Sequence, residues 1–152
     1  MSDLVKIGLI QASHDVDGSE GVDVHKEQAI KKHVELVRDA ARKGAQIICL
    51  QEIFYGPYFC SEQNPKWYDS AEEIPNGPTT KEFQALAKEL GPQGIRVNAV
   101  APSLTKTALA DRQLQRLPPG TLERVISVTP MGRVAQPDEI ASVIAFLASD
   151  EA

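Results

Sequence analysis

The sequence has little cysteine, few aromatic residues and no excess of positive charge. Its two cysteines, Cys49 and Cys60, are too few for a disulfide framework. Cys49 falls within an apolar strand pattern, which predicts a buried, reduced thiol. The net charge of −5 disfavours a phosphate-binding surface, because nucleic-acid-binding proteins normally carry a basic patch. We therefore expect no nucleic-acid partner.

Long apolar runs are also missing. None approaches the roughly 20 residues of a membrane-spanning helix, and the opening MSDLVKIGLI lacks the basic region and cleavage site of a signal peptide. No group of histidine, cysteine, aspartate and glutamate has metal-ligand spacing. With 42% hydrophobic and 24% charged residues, the composition is that of an ordinary soluble domain. These features predict a cytoplasmic protein without a membrane partner or a bound metal.

Apolar strand patterns alternate with helical periodicity along the chain. The expected strands are residues 4–12, 46–53 and 95–100. The expected helices are residues 24–43, 79–90, 105–117 and 121–127, with a last helix after Gln136. This order predicts an α/β layered sandwich with flanking helices around a small, mostly parallel sheet of about three strands. We expect a Rossmann-like βαβαβα order in a single domain, 1–152, whose apolar first strand is covered on both faces.

The helix over residues 79–90 has start and stop signals in its sequence. Thr79 and Glu82 fit a capping box, in which each side chain satisfies an N–H of the first turn. Phe83, Leu86 and Leu90 follow at helical spacing and predict one buried face. Gly91 can adopt the left-handed conformation that ends a helix.

Two segments of the first half carry a specific resemblance. GAQIICLQEIFYGPYFC and AEEIPNGPTTKEFQALAKELG, preceded by VKIGLIQAS, resemble the nitrilase (carbon–nitrogen hydrolase) superfamily over residues 3–91. The nearest branch is that of N-carbamoylputrescine amidase and β-ureidopropionase. The resemblance implies amide or nitrile hydrolysis by a Glu–Lys–Cys set, with cysteine as nucleophile and glutamate as general base. By motif that glutamate is Glu52, at the carboxyl end of the second strand, where ligands of parallel sheets bind.

Other candidate residues in this half have weaker support. Cys60 in the PYFC motif is not the family's nucleophile, and Lys106 matches no family position, because the family's lysine and cysteine lie in segments that this sequence does not have. His14 follows the first strand and could lie near Glu52, where a solvated loop histidine is the expected state. His25 and His33 are expected on the surface of the first helix.

The second half resembles a different family. LAKELGPQGIRVNAVAPS and TPMGRVAQPDEIASVIAFLASDEA resemble the C-terminal part of a short-chain dehydrogenase/reductase over residues 85–152. The resemblance implies contacts to the nicotinamide end of a cofactor from a few residues after the third strand. Those residues are Pro102, Ser103, Leu104 and Thr107, with serine where glycine is usual.

The cofactor chemistry of that second family is incomplete here. The first strand is followed by QASHDVDG rather than by the glycine-rich loop that holds a pyrophosphate. None of the tyrosines Tyr55, Tyr58 and Tyr68 has a lysine four residues later. We therefore expect no cofactor.

The string LAKELG is typical of both families. A fusion of the two segments at this string preserves the helix and the turn that follows it. We interpret the chain as an engineered or recombined chimera of segments 1–91 and 85–152, joined at 85–91, with no native catalytic activity. The alternatives are a weak amide or ester hydrolase that uses Glu52 and a residual NAD(P)-binding module. Exposed apolar faces at residues 54–59 and 140–147 favour a homodimer.

Overall fold

The computed structural model describes residues 4–13, 20–56 and 64–152. The chain forms two compact units, Met1–Val97 and Asn98–Ala152. The candidates His14, Tyr58 and Cys60 lie outside the described residues. That all 152 residues fold as one domain stays a prediction.

The first unit is built on two parallel strands, β1 (Ile7–Ile10) and β2 (Ile47–Leu50), with Ile7 paired to Ile47. Helix α1 (Val22–Arg42) connects them, and helix α2 (Pro78–Leu90) follows. Two short 3-10 helices, Pro65–Ser70 and Gly91–Gln93, lie before and after α2. The predicted α/β fold with a small parallel sheet and flanking helices is confirmed.

The predicted third strand is wrong. In the part of the chain that the structure describes, residues 95–100 belong to no strand, and the sheet has two strands. Val97 and Val100 are 42% and 36% exposed. β-branched residues favour an extended backbone, but a strand also requires an adjacent strand edge with which to pair, which local propensity does not supply.

The core of the first unit lies between the two helices and one face of the sheet. Its buried members are Ile10, Ile30, Val34, Val37, Leu86 and Leu90. Phe83, Ile48 and Leu50 pack against them. Gly8 lets α1 approach β1 closely, because a Cβ there would lie 3.2 Å from the Cβ of Ala40. The apolar faces predicted for both helices therefore pack together on the same side of the sheet.

The other side of the sheet contradicts two predictions. The first strand is not covered on both faces, since Ile7 and Leu9 are 56% and 80% exposed. Cys49 on the adjacent strand is exposed rather than buried. Alternation along a strand sends successive side chains to opposite faces, so an apolar strand is buried on both faces only where something covers each of them.

The start and end of α2 differ from the prediction. The helix begins at Pro78, a favourable first position for proline, and its N-cap Gly77 makes no side-chain cap. Thr79 therefore lies inside the helix and is not the N-cap residue of a capping box. Gly91 has right-handed angles (φ −54°), and the left-handed glycine is Gly94 (φ 80°), one short helical turn later.

The second unit is helical: α3 (Ala108–Leu114), α4 (Thr121–Val128) and α5 (Pro137–Ala148). A single bridge pairs Thr105 with Ala135. At the start of α5, Gln136 and Glu139 form a capping box. Hydrogen bonds from Arg133 and from the Gln136 N–H lower the pKa of Glu139 to about 2, so this cap keeps its charge over the whole neutral range. The last helix therefore begins directly after Gln136, as predicted.

Candidate functional site

Glu52 lies in a turn directly after β2, at the carboxyl end of the strand, and its side chain is exposed to solvent. Ile53, the next residue, has a φ of 52°, which a β-branched side chain rarely adopts. Across the described part of the chain, no hydrogen bond or ion pair involves the Glu52 carboxylate. Glu52 thus lies just after the end of β2, where the motif predicts it, and its side chain is exposed among the described residues.

An aromatic cluster lies beside this turn. The ring of Phe54 is 5.2 Å from that of His33, 5.1 Å from that of Phe83 and 5.7 Å from that of Tyr55. His33 is only 1% exposed, and its Nδ1–H donates to the carbonyl oxygen of Ala29 over 2.8 Å. Phe54 therefore packs into the core and fixes the position of the turn that carries Glu52.

The prediction that His25 and His33 lie on the helix surface is wrong, since they are 7% and 1% exposed. The spacing of α1 contained the signal for His33. It follows Ile30 by three residues and precedes Val37 by four, so it shares their buried face.

A polar network that the sequence did not reveal joins α1 to the start of α2. The Nζ of Lys26 lies 2.6 Å from Glu72 Oε1, with both side chains about nine-tenths buried. Thr79 donates to the same carboxylate from its backbone N–H (2.9 Å) and its hydroxyl (2.8 Å). Lys26 also donates to the carbonyl oxygen of Ser70. Glu72, seven residues before Thr79, supplies the cap that the sequence assigned to Thr79 and Glu82.

The environment of Glu72 shifts its protonation equilibrium. Burial alone would raise the pKa of Glu72, but hydrogen bonds from Lys26 and Thr79 outweigh that effect and lower it. The carboxylate is thus held in its charged form, as a structural ion pair requires. A group held this way is a poor general base, because its lone pairs are already engaged.

The four residues expected to contact a nicotinamide lie together in the second unit. Pro102 and Ser103 are exposed, and the carbonyl oxygen of Leu104 accepts from the Ala135 N–H over 3.0 Å. The hydroxyl of Thr107 accepts from the Ala110 N–H over 3.1 Å as the N-cap of α3. These contacts give Leu104 and Thr107 structural roles within this unit.

A shallow cavity of about 360 Å³ lies beside β1, between that strand and one side of α1. It is lined by Lys6 to Gln11 and by α1 residues including Leu36 and Ala40. Glu52 does not line it. Within the residues that the structure describes, no cluster of metal-binding side chains is found, and no helix is both long and apolar enough to cross a membrane.

Comparison with known proteins finds that two family models match different, overlapping parts of the chain. The carbon–nitrogen hydrolase family model matches residues 6–99, and the model described as enoyl-(acyl carrier protein) reductase matches residues 79–152. N-carbamoylputrescine amidase of Arabidopsis thaliana is 50% identical over 37% of this chain and 19% of its own length. A 3alpha-hydroxysteroid dehydrogenase of Mediterraneibacter gnavus is 41% identical over 56% of this chain and 31% of its own length.

A solved structure is similar to almost the whole chain. The crystal structure of gox2181 aligns with 97% of this chain and 59% of its own, with a TM-score of 0.51 and 27% identity. The chain spans only about a fifth to a third of the two relatives named above. Because one family model covers more than half of the chain, this protein belongs to the carbon–nitrogen hydrolase family through residues 6–99, and it carries a short-chain-dehydrogenase-like segment in residues 79–152.

Proposed function

We propose that this chain is an engineered or recombined chimera whose two fused segments form an α/β scaffold without native catalytic activity. One observation carries the proposal: Glu52, the family's general base by motif, is exposed and has no partner in the described residues. A general base acts when it lies within hydrogen-bond reach of the group it deprotonates. A carboxylate in bulk solvent leaves a nucleophile unactivated.

The two family matches overlap in α2, and this position supports a chimera in which the buried face of that helix was preserved. Both family models match residues 79–99, which include all but the first residue of α2. Within α2, Leu86 and Leu90 are 2% and 3% exposed. A fusion inside this helix preserves the buried face that either parent requires, so the local signals agree on both sides of the joint.

The test is turnover by the full chain on amide, carbamoyl-amide and ester substrates. We expect rates equal to those of buffer, while a cooperative thermal transition shows that the protein in the assay is folded. A full-length carbon–nitrogen hydrolase under the same conditions confirms that the substrates react. Turnover that co-purifies with the chain and responds to changes at Glu52 would contradict the proposal.

The family membership favours one alternative, a weak hydrolase that uses Glu52. The variant Glu52→Gln removes the base and keeps the shape, and Glu82→Gln is the matched control because Glu82 is an exposed carboxylate on α2. A hydrolase predicts that Glu52→Gln abolishes turnover and that Glu82→Gln leaves it unchanged. Equal rates in both variants and the parent would remove this alternative.

The dehydrogenase-like segment favours the other alternative, a residual NAD(P)-binding module. Its test is a salt-sensitive thermal shift with NAD(P), since phosphate binding weakens as salt rises. Because Thr107 caps α3, the informative change is Thr107→Asn, which keeps a capping side chain and alters the expected contact. A rise in melting temperature with NAD(P) that is lost in Thr107→Asn supports binding. If the parent shows no such rise, the NAD(P)-binding alternative is excluded.

Self-association is also part of the proposal. Val143, Ile144 and Phe146 of α5 are 48%, 51% and 49% exposed. Half-exposed aliphatic and aromatic side chains on one short helix favour contact with another apolar surface. The other predicted face, residues 54–59, lies partly outside the described residues.

A further inference from the structure

We propose that the uncovered side of the two-stranded sheet binds the same side of a second copy of this chain. This surface, called the open sheet face, consists of the side chains of Val5, Ile7, Leu9 and Cys49. The inference does not depend on whether the chain is catalytic.

The two sides of the sheet differ because side chains alternate along each strand. Gly8 and Ile10 point toward α1: the first lies under Ala40, and the second belongs to the core with residues of α1 and α2. Ile7 and Leu9 therefore point the other way. In the described part of the first unit, both helices contribute to the core on the Gly8 side of the sheet. The side that carries Ile7 and Leu9 therefore has no helix of the described residues packed on it.

The open sheet face is apolar and exposed. Val5 and Ile7 are each 56% exposed, Leu9 is 80% exposed and Cys49 is exposed. Parallel sheets are almost always covered on both faces, because their strands are apolar on both. Water against these aliphatic side chains is unfavourable in proportion to the area in contact. This face therefore has the chemistry of an internal surface.

A second copy is the occupant that this chemistry fits. The four side chains carry no charge, so the face has no means of selecting a charged peptide, a nucleotide or a lipid headgroup. Two apolar sheet faces pack against each other in sandwiches, and a two-fold axis brings the same face of two copies together.

The area sets the expected strength. These four side chains present on the order of 400 Å² on each copy, about half of what one partner contributes to a standard interface. The expected dimer is therefore weak, and its fraction rises with protein concentration.

The first experiment is sedimentation of the full chain across micromolar concentrations. We expect Leu9→Lys to raise the dimer dissociation constant at least tenfold, because it buries a charge at the centre of the interface. Val128→Lys at the end of α4 is the matched control, since Val128 is 76% exposed and the change adds the same charge outside both apolar faces. We expect it to change the dissociation constant less than twofold. Leu9 is largely exposed in one copy, so the circular dichroism and melting of the variant should match those of the parent.

The second experiment uses Cys49 as a reporter in a Cys60→Ser background. We expect a short bismaleimide to link two copies through Cys49, with a yield that rises with protein concentration and falls in Leu9→Lys. A chain that is monomeric at every concentration overturns the proposal. A separate variant, Val143→Lys, tests α5. Dissociation by Val143→Lys but not by Leu9→Lys also overturns the proposal, because the dimer then forms through α5. Cys49 that resists the maleimide equally at every protein concentration overturns the proposal as well, because the residues that shield it then belong to the same chain.

Discussion

His33 places an imidazole at a position where helical spacing favours an apolar side chain. Its Nδ1–H donates to the Ala29 carbonyl, while Nε2 is buried and has no partner in the described residues. A buried polar atom without a hydrogen bond costs about 1–3 kcal/mol. The cost of burying Nε2 therefore offsets part of the free energy that His33 contributes by packing against Phe54.

We predict that His33→Leu changes the free energy of unfolding by less than about 1 kcal/mol, because it removes the unpaired nitrogen and keeps most of the volume. His33→Ala should lower that free energy by about 2–4 kcal/mol, because it leaves a cavity beside Phe54. Urea denaturation of both variants measures the difference. A leucine variant as unstable as the alanine variant would mean that Nε2 has a partner.

Glu72 leads to a pH prediction. Its pKa is lowered in the folded protein, so the ion pair with Lys26 contributes stability above the usual glutamate pKa of about 4.3. That contribution shrinks as the pH falls from about 4.3 towards the lowered value, because over this interval the unfolded chain binds a proton that the folded chain does not. It is lost once the pH has fallen through the lowered value. Glu72→Gln should lower the free energy of unfolding by about 1–3 kcal/mol at pH 7.

The deficit of Glu72→Gln should shrink as the pH falls below about 4.3, because the unfolded parent chain then takes up a proton that the folded ion pair excludes. Urea denaturation at pH 7, 4.5 and 3 measures it. The matched control is Glu82→Gln, an exposed glutamate on the helix that Glu72 caps. A deficit that is the same at all three values would show that the carboxylate charge is not what stabilises this network.

Among the elements, helices with a regular apolar spacing could be predicted from the sequence. Helices α1, α2 and α5 all form where their patterns place them, because each pattern reports one buried or half-buried face. The cap of α2 could not be predicted, since Glu72 reaches Thr79 only after the chain between them has folded back. The strand expected at 95–100 fails for a similar reason: pairing depends on a neighbour that is distant in sequence.

The start of α2 gives a prediction about close packing. A Cβ on Gly77 would lie 2.7 Å from the Glu72 Cβ and from the Glu73 carbonyl oxygen, so Gly77→Ala must displace backbone. We expect it to lower the free energy of unfolding by about 1–3 kcal/mol.

The control for Gly77→Ala is Gly91→Ala, at the other end of the same helix. Gly91 has right-handed angles and open space around its Cβ position. Alanine there should be neutral or should stabilise by about 0.4–1 kcal/mol, because it restricts the unfolded chain. Thermal and urea denaturation compare the two. Equal effects would mean that the contact between Gly77 and Glu72 is not tight in solution.

At the scale of the whole molecule, the two parentages could be predicted from short motifs, because such motifs persist in fragments. The environment of each motif could not. Exposure of Cys49 and of Glu52 depends on which surfaces cover the sheet and the strand ends, and a sequence fragment does not state what its parent packed against it. For the same reason the residues assigned to catalysis and to cofactor contact remain candidates named by motif.

The two compact units should differ in local stability. In the first, α1 contributes Ile30, Val34 and Val37 to a buried core. In the second, whose residues are all described, Ala110 is the one buried hydrophobic residue and is 8% exposed. Amides exchange with solvent through local openings whose free energy follows the apolar contacts that must be broken. We therefore predict that backbone amides of α5 exchange at least tenfold faster than those of α1 in the full chain. Native-state hydrogen exchange read by NMR measures both, with α2 as a reference for the first unit. Equal protection in α1 and α5 would mean that all 152 residues open together, as the sequence-based prediction of one domain requires, and that the second unit draws its stability from the first.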